Sequence, residues 1–227
     1  ASPSILSAVT ASFGCTLKWY TSATGGTGSP TAPLLSTSTV GVTTYYVSQY
    51  FNSTSCEGPR AAITYTVKPV PVLTNTNTTT NICSGTTFSF SPQTNVTGVT
   101  ITWSRSTIAG ISNLQVSNSS VLPISEVLVN TTTAPITVSY QLNFALNGCT
   151  SASTITVTVQ PKAKLNPTPS LNNICNGGSF NFTPASQTSG VSYAWTRALQ
   201  TGVTGTGASS GTNAISDVLT NSTDNPI

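Results

Sequence analysis

The sequence predicts an all-β chain of tandem β-sandwich modules set end to end, and three observations predict it. The first is an internal repeat: NICSGTTFSFSPQTNVTGVTITWSR, beginning at Asn81, returns without a gap as NICNGGSFNFTPASQTSGVSYAWTR, beginning at Asn173. Its Cys, Gly, Phe, Pro, Trp and Arg residues recur 92 positions apart, the mark of one folded module used more than once. ISEVLVNTTTAPI from Ile124 likewise returns as ISDVLTNSTDNPI from Ile215, one residue out of phase. The second observation is composition. Only 5% of the 227 residues are charged, against about 25% in an ordinary soluble protein, while Ser and Thr supply roughly a third. The third is alternation of Thr, Val, Ile and Tyr in short runs separated by Gly, Pro, Asn and Ser, which reads as strands and turns.

Residues 1–68 form the first module. In CTLKWY, Leu17 and Trp19 point one way and Lys18 and Tyr20 the other. The turn-rich TSATGGTGSPTAP separates this strand from TTYYVSQ, where Tyr45 and Val47 face the core, and AAITYTV follows with Ile63, Tyr65 and Val67 inward. Trp on one strand, Tyr on a later one and a terminal hairpin suggest an immunoglobulin-like sandwich, expected to lack its first strand or strands. Lys68-Pro69-Val70-Pro71 then interrupts the pattern as a short, proline-stiffened linker.

The second module, 69–161, is the complete one. Its inward sets are Phe88 and Phe90; Val99, Ile101 and Trp103; Ile136, Val138, Tyr140, Leu142 and Phe144; and Ile155, Val157 and Val159. Ser106 to Pro123 shows little period and reads as loop with one edge strand at most. The third module, 162–227, stops at the counterpart of Ile136 and is expected to lack its last two strands.

Five cysteines at element boundaries, none in a CxxC spacing, read as a disulfide framework and an oxidising, extracytoplasmic compartment. The expected bridges are Cys15–Cys56 and Cys83–Cys149, with the partner of Cys175 beyond the chain end. The few charges carry a second expectation. Arg105 shares strand parity with Trp103, and Glu126 with Ile124 and Leu128; Arg197 and Asp217 repeat the arrangement. A lone Arg and a lone acid leaning toward one core should pair at its edge, Arg105 with Glu126 and Arg197 with Asp217.

The same composition excludes much chemistry. The chain has no His, so Ser-His-Asp and Cys-His arrangements are impossible. Four acids spread over three modules cannot assemble a calcium cage or the paired carboxyls of a glycosidase, and no enzyme, cofactor or metal is expected. Seven scattered basic residues make no stripe for nucleic acid, and no apolar run reaches the roughly 18 residues of a membrane span. Lys18 reads as a solvated strand lysine rather than an isopeptide donor. Tyr20, Tyr46, Tyr50 and Phe51 lie off the inward set and are weak candidates for stacking on sugar rings.

The second and third modules resemble the PKD-like repeats of Bacteroidetes surface proteins through ICSG, FSFSP, ITWSR, ISEVLVNTTT and NGCTSASTITVTVQP. The first resembles the immunoglobulin-like repeats found beside them, through LKWYTSATGGTGS, STSTVGVTTYYVSQ and CEGPRAAITYTV. The combination is similar to the giant SprB-type adhesins of gliding cells. The resemblance implies a bacterial cell-surface filament exported by the type IX secretion system, with neighbouring modules of the same chain, the gliding machinery and a surface polysaccharide as partners. Such repeats also serve as spacers in other secreted proteins. Two functions of different class therefore stand open: a structural stalk and a glycan-binding adhesive module.

Overall fold

The computed structural model describes residues 11–166, 173–212 and 214–227; the opening ten residues of the first module lie outside them. Every regular element among the described residues is a β-strand. In the first module these are β1 (Cys15–Tyr20), β2 (Gly41–Phe51), β3 (Cys56–Glu57) and β4 (Ala61–Val67), joined in one sheet with β2 at its centre. β1 lies along one edge of β2, and β3 and β4 follow each other along the opposite edge, all antiparallel.

The register sets Trp19 opposite Val47, Lys18 opposite Ser48 and Tyr20 opposite Tyr46. Trp19 and Val47 are buried on one face, in keeping with alternation, but Tyr20 and Ser48 are buried on the other. The expectation that Tyr20 faces solvent is corrected by the chain that follows β1. Ser29 folds back to pair with Trp19, and this lays Gly28 on the Tyr20 ring. A Cβ at Gly28 would stand 2.5 Å from the Tyr20 hydroxyl, so only glycine permits that approach.

The second module contributes β5 (Asn81–Cys83), β6 (Thr87–Phe90), β7 (Thr100–Arg105), β8 (Val116–Ser119), β9 (Ile124–Val127), β10 (Ile136–Leu146) and β11 (Cys149–Gln160). They form a five-stranded sheet in the order β5-β11-β10-β7-β8 and a two-stranded sheet of β6 with β9. β10 and β11 are joined by Asn147-Gly148, both at positive φ, the backbone that a tight two-residue hairpin demands. Between the sheets lie Phe88, Phe90, Trp103, Ile124, Leu128, Val138, Tyr140, Leu142, Phe144, Val157 and Val159, all buried. Each contributes on the order of 1.5–3 kcal/mol by leaving water. β8 is the edge strand inside the aperiodic Ser106–Pro123 stretch. Ile111 in that stretch is also buried, anchored by a bridge to Asn130, and periodicity had no means of marking it.

The third module contributes β12 (Ser179–Phe182), β13 (Trp195–Thr196), β14 (Val203–Gly205), β15 (Ser210–Gly211) and β16 (Ile215–Asn221). β12 pairs with β16 as β6 pairs with β9, and β13 pairs with β15 as β7 pairs with β8.

By contacts the chain divides into two compact units. One holds the chain through Val72 together with Asn95–Thr100 and Phe144–Ser151; the other holds Leu73–Thr94, Ile101–Asn143 and Ala152–Ile227. Linker hydrogen bonds explain why the first unit reaches into the second module's sequence. The Asn95 side chain accepts from the Val72 N–H at 2.8 Å and donates to the Val70 carbonyl at 3.2 Å. Lys68 Nζ donates to the Asn147 carbonyl, and the Ser151 hydroxyl donates to that of Pro71, which is fully buried. Further along, Leu73 bridges Thr94, and 92 residues later Leu165 bridges Ser186. The Thr74 N–H bonds the Gln93 carbonyl just as the Asn166 N–H bonds that of Ala185.

The expected disulfides are corrected by the strand register. Cys15 and Cys56 both sit opposite Phe51, on its two sides, so β2 runs between them. Two inter-strand spacings separate them by about 10 Å, beyond the roughly 7 Å that a bridge can span. Cys149 opens the 12-residue β11, whereas Cys83 pairs with Gln160, which closes it. At about 3.3 Å per residue they stand about 36 Å apart, at opposite ends of the sheet. No disulfide joins any of Cys15, Cys56, Cys83, Cys149 and Cys175 to another within the chain.

Candidate functional site

Two charged pairs stand at the edges of the repeated cores. In the second module β7 aims Arg105 and β9 aims Glu126 at each other in a two-pronged contact, Nε to Oε2 at 2.7 Å and Nη2 to Oε1 at 2.9 Å. The guanidinium is fully buried and also donates to the Ser106 and Leu114 carbonyls. Its hydrogen bond to Glu126 raises its affinity for its proton above the ordinary arginine level. Tyr140 of β10 lies on the same pair. Its ring stacks on Phe88 at 5.1 Å between centroids and tilts against Trp103 at 5.7 Å. Burial, then the adjacent Glu126 carboxylate, push its hydroxyl pKa far up. This cluster can hold two sheets in one register; it exposes no reactive group.

The third module places the same residue types around open space. Arg197 Nε and Asp217 Oδ2 are 3.2 Å apart, and the Gly207 N–H donates to Asp217 Oδ1. Arg197 nevertheless remains 27% exposed, where Arg105 is at 0%. Phe180, Trp195, Ile215 and Leu219 line a cleft of about 750 Å³ together with this pair. The Trp195 Nε1, Arg197 Nε and Asp217 Oδ2 atoms are buried without a hydrogen-bond partner of ordinary geometry. In the second module the corresponding Trp103 Nε1 donates to the Val121 carbonyl at 2.9 Å.

The first module gathers its charges on one face. Glu57 on β3 accepts from the Tyr20 hydroxyl at 2.5 Å and the Ser48 hydroxyl at 2.7 Å. Those two bonds, ahead of the nearby Lys18 and Arg60, hold its carboxyl below the usual glutamate range. Lys18 Nζ sits 3.3 Å from the Tyr50 ring centre and 3.9 Å from Glu57, and the Arg60 guanidinium sits 3.3 Å from the Tyr20 ring centre. Arg60 also donates to the Ser22 and Gly25 carbonyls, tying down the loop over Tyr20. Lys18 is thus a cap on Tyr50 rather than a freely solvated side chain.

The four glycan-contact candidates therefore make no shared platform. Tyr20 is buried beneath Arg60, Tyr50 is capped by Lys18, Tyr46 is half-buried, and Phe51 has the opposite strand parity and lies against Gly14. Glu57, Ser48 and Arg60 escape a reading by periodicity. Only the pairing of Tyr50 with Glu57 brings them together, and that register is not written locally. Among the described residues no three His, Cys, Asp or Glu side chains cluster as a metal site would require, and no helix is long and apolar enough to cross a membrane.

Family models match the chain in two parts. Residues 1–69 match the Ig-like domain described as CHU_C associated. Among solved structures the chain is similar to the three-domain titin fragment I67–I69 in an E-to-A mutated variant, at 10% identity and TM-score 0.43, over 94% of this chain and 80% of that one. It is similar in the same way to the I-band fragment I67–I69 from titin, at 10% identity and TM-score 0.43, over 92% and 78%. No curated protein matches the sequence. Residues 80–163 and 172–226 match the PKD-like domain. That is more than half of the sequence, and the chain belongs to the PKD-like domain family.

Proposed function

We propose that this chain is a structural stalk segment of a long cell-surface adhesin, in which repeated β-sandwich modules supply reach and stiffness. The observation that carries the reading is the linker that docks as part of the fold following it, repeated at Leu73–Thr94 and Leu165–Ser186. A proline-containing connection tied down by main-chain hydrogen bonds has few conformations left to explore, so force applied along the chain meets a short, stiff joint. Ig-like and PKD-like modules are typical of extracellular and surface proteins, and they are typically structural rather than enzymatic. The resemblance to SprB-type repeats extends the proposal to export by the type IX system and service in gliding and attachment. Three expected modules, 1–68, 69–161 and 162–227, are the units of length in this reading. The glycan-binding alternative draws no support from Tyr20 and Tyr50, each of which already carries a cation over one ring face.

The test is deletion of internal modules from the parent protein on living cells. A stalk predicts a shorter filament, seen by electron microscopy, with attachment and movement largely retained. Abolished attachment, together with saturable binding of surface polysaccharide by residues 1–227 that is lost in Tyr20→Ala or Tyr46→Ala, would overturn it.

A further inference from the structure

A protease that cuts after lysine or arginine meets seven basic residues in this chain, and the fold withholds five of them. Lys18 lies inside β1, where the main chain is laddered to β2 and the ammonium caps the Tyr50 ring. The Arg60 side chain is 15% exposed and is engaged by the Ser22 and Gly25 carbonyls and the Tyr20 ring. Lys68 bonds the Asn147 carbonyl and is followed by Pro69, whose ring fixes φ and removes the N–H at the bond to be cut. Arg105 is fully buried, and Arg197 pairs with Asp217 while its N–H holds the Ser209 carbonyl.

Lys162 and Lys164 are placed differently. They stand on either side of Ala163 just after β11 ends at Gln160, in backbone outside the named strands, and residues 162–165 are all exposed. Neither lysine side chain has a hydrogen bond or ion pair among the described residues, and the Ala163 N–H has none either. The segment is tied by the Thr188 hydroxyl on the Lys162 carbonyl, by the Leu165–Ser186 bridge and by the Asn166 N–H on the Ala185 carbonyl. A cleft of about 450 Å³ bordered by Pro161, Ala163 and Thr188 runs beside it, so that side lacks close packing. In the first linker, by contrast, Asn95 and Ser151 side chains hold Val70, Pro71 and Val72. We propose that the peptide bonds after Lys162 and after Lys164 form a processing site for a serine protease whose primary pocket takes a cationic side chain. Opening a few exposed hydrogen bonds frees this segment, whereas Lys18, Arg105 and Arg197 need a strand or an ion pair to open, and cleavage follows the population of the opened form. Water is the co-reactant: its hydroxyl joins the lysine carbonyl carbon, the C–N bond breaks, and its other proton goes to the new amine of Ala163 or Leu165. The cut parts the third module from the first two, which stay joined through the first linker.

The experiment treats the native 227-residue chain with a trace of trypsin and follows the products by intact-mass spectrometry. The first products are expected to end at Lys162 or Lys164, with the fragment that begins at residue 1 then persisting. Replacing both lysines, Lys162→Gln with Lys164→Gln, should lengthen the lifetime of the intact chain about tenfold, because the most readily opened site is gone. Lys68→Gln should leave that lifetime unchanged. Both replaced lysines are exposed and unpaired, so the double variant keeps its modules. A first cut after Arg60 or Arg197 overturns the proposal. So does a double variant cleaved at the original rate, or a chain that resists cleavage until denaturant unfolds it.

Discussion

Asn81-Ile82-Cys83 is a strand, and the identical tripeptide Asn173-Ile174-Cys175 is not. The second and third modules thus offer a comparison in which local sequence is nearly constant and tertiary surroundings differ. β5 exists because β11 offers it a parallel edge, and Asn173–Cys175 has no such neighbour among the described strands. β7 likewise runs six residues beside β10, while its counterpart β13 runs two. Strand propensity is chiefly a fit to a half-buried, partnered surface, so removing the partner removes the strand. Side chains follow the backbone: Phe88, Trp103, Ile124 and Leu128 are buried, and Phe180, Trp195, Ile215 and Leu219 are only partly so.

The comparison can be broken most forcefully at the aromatic core. Phe88→Ala should cost the second module about 4 kcal/mol, since a fully buried ring leaves a cavity. Phe180→Ala should cost about 1 kcal/mol, because its surroundings are already open. Denaturant midpoints of the two variants check the ratio, and equal losses would show that the third core is closed in solution. The charged pairs come next. Glu126→Gln leaves a buried guanidinium without its counter-charge, which should cost about 3 kcal/mol, whereas Asp217→Asn beside the part-exposed Arg197 should cost about 1 kcal/mol. Hydrogen exchange of strand amides in β7 and β13 reports each module separately.

A smaller effect sharpens the comparison at the junctions. Asn95→Ala removes the two side-chain bonds that hold Val70 and Val72, an expected loss of about 1–2 kcal/mol read as faster exchange of the Val72 amide. The position 92 residues later is Gln187, and there the linker is held by the Thr188 hydroxyl donating to the Lys162 carbonyl and by main-chain bonds such as Asn166 to Ala185, so Gln187→Ala should leave that exchange unchanged. The smallest effect lies in the first module. Because Tyr20 and Ser48 lower the Glu57 pKa from 4.5, the stability it contributes is fully present above that value and disappears as pH falls through the lower folded-state value. Tyr20 and Ser48 resonances followed below about pH 4.5 should therefore move together, and Glu57→Gln should abolish that response.

Much of the architecture is legible along the chain because it is carried by short-range pattern. Alternation places Phe88, Phe90, Val138, Tyr140, Leu142 and Phe144 on one side of their strands, and the 92-residue spacing marks the repeated module. Parity also carries the meeting of Arg105 with Glu126, since each leans to the same side as a neighbour that must be buried. The cysteines escape that logic. Their position at element boundaries says nothing about which end of an 11- or 12-residue strand a boundary occupies, and Cys83 and Cys149 fall at opposite ends of one sheet. The Glu57 network escapes it too, because it depends on which strands lie side by side and on a loop returning over Tyr20. Period and repeat are written in neighbouring residues, so the chain alone sets them. Register, strand adjacency and the closing of a core join residues far apart in sequence, and only the packed structure decides those.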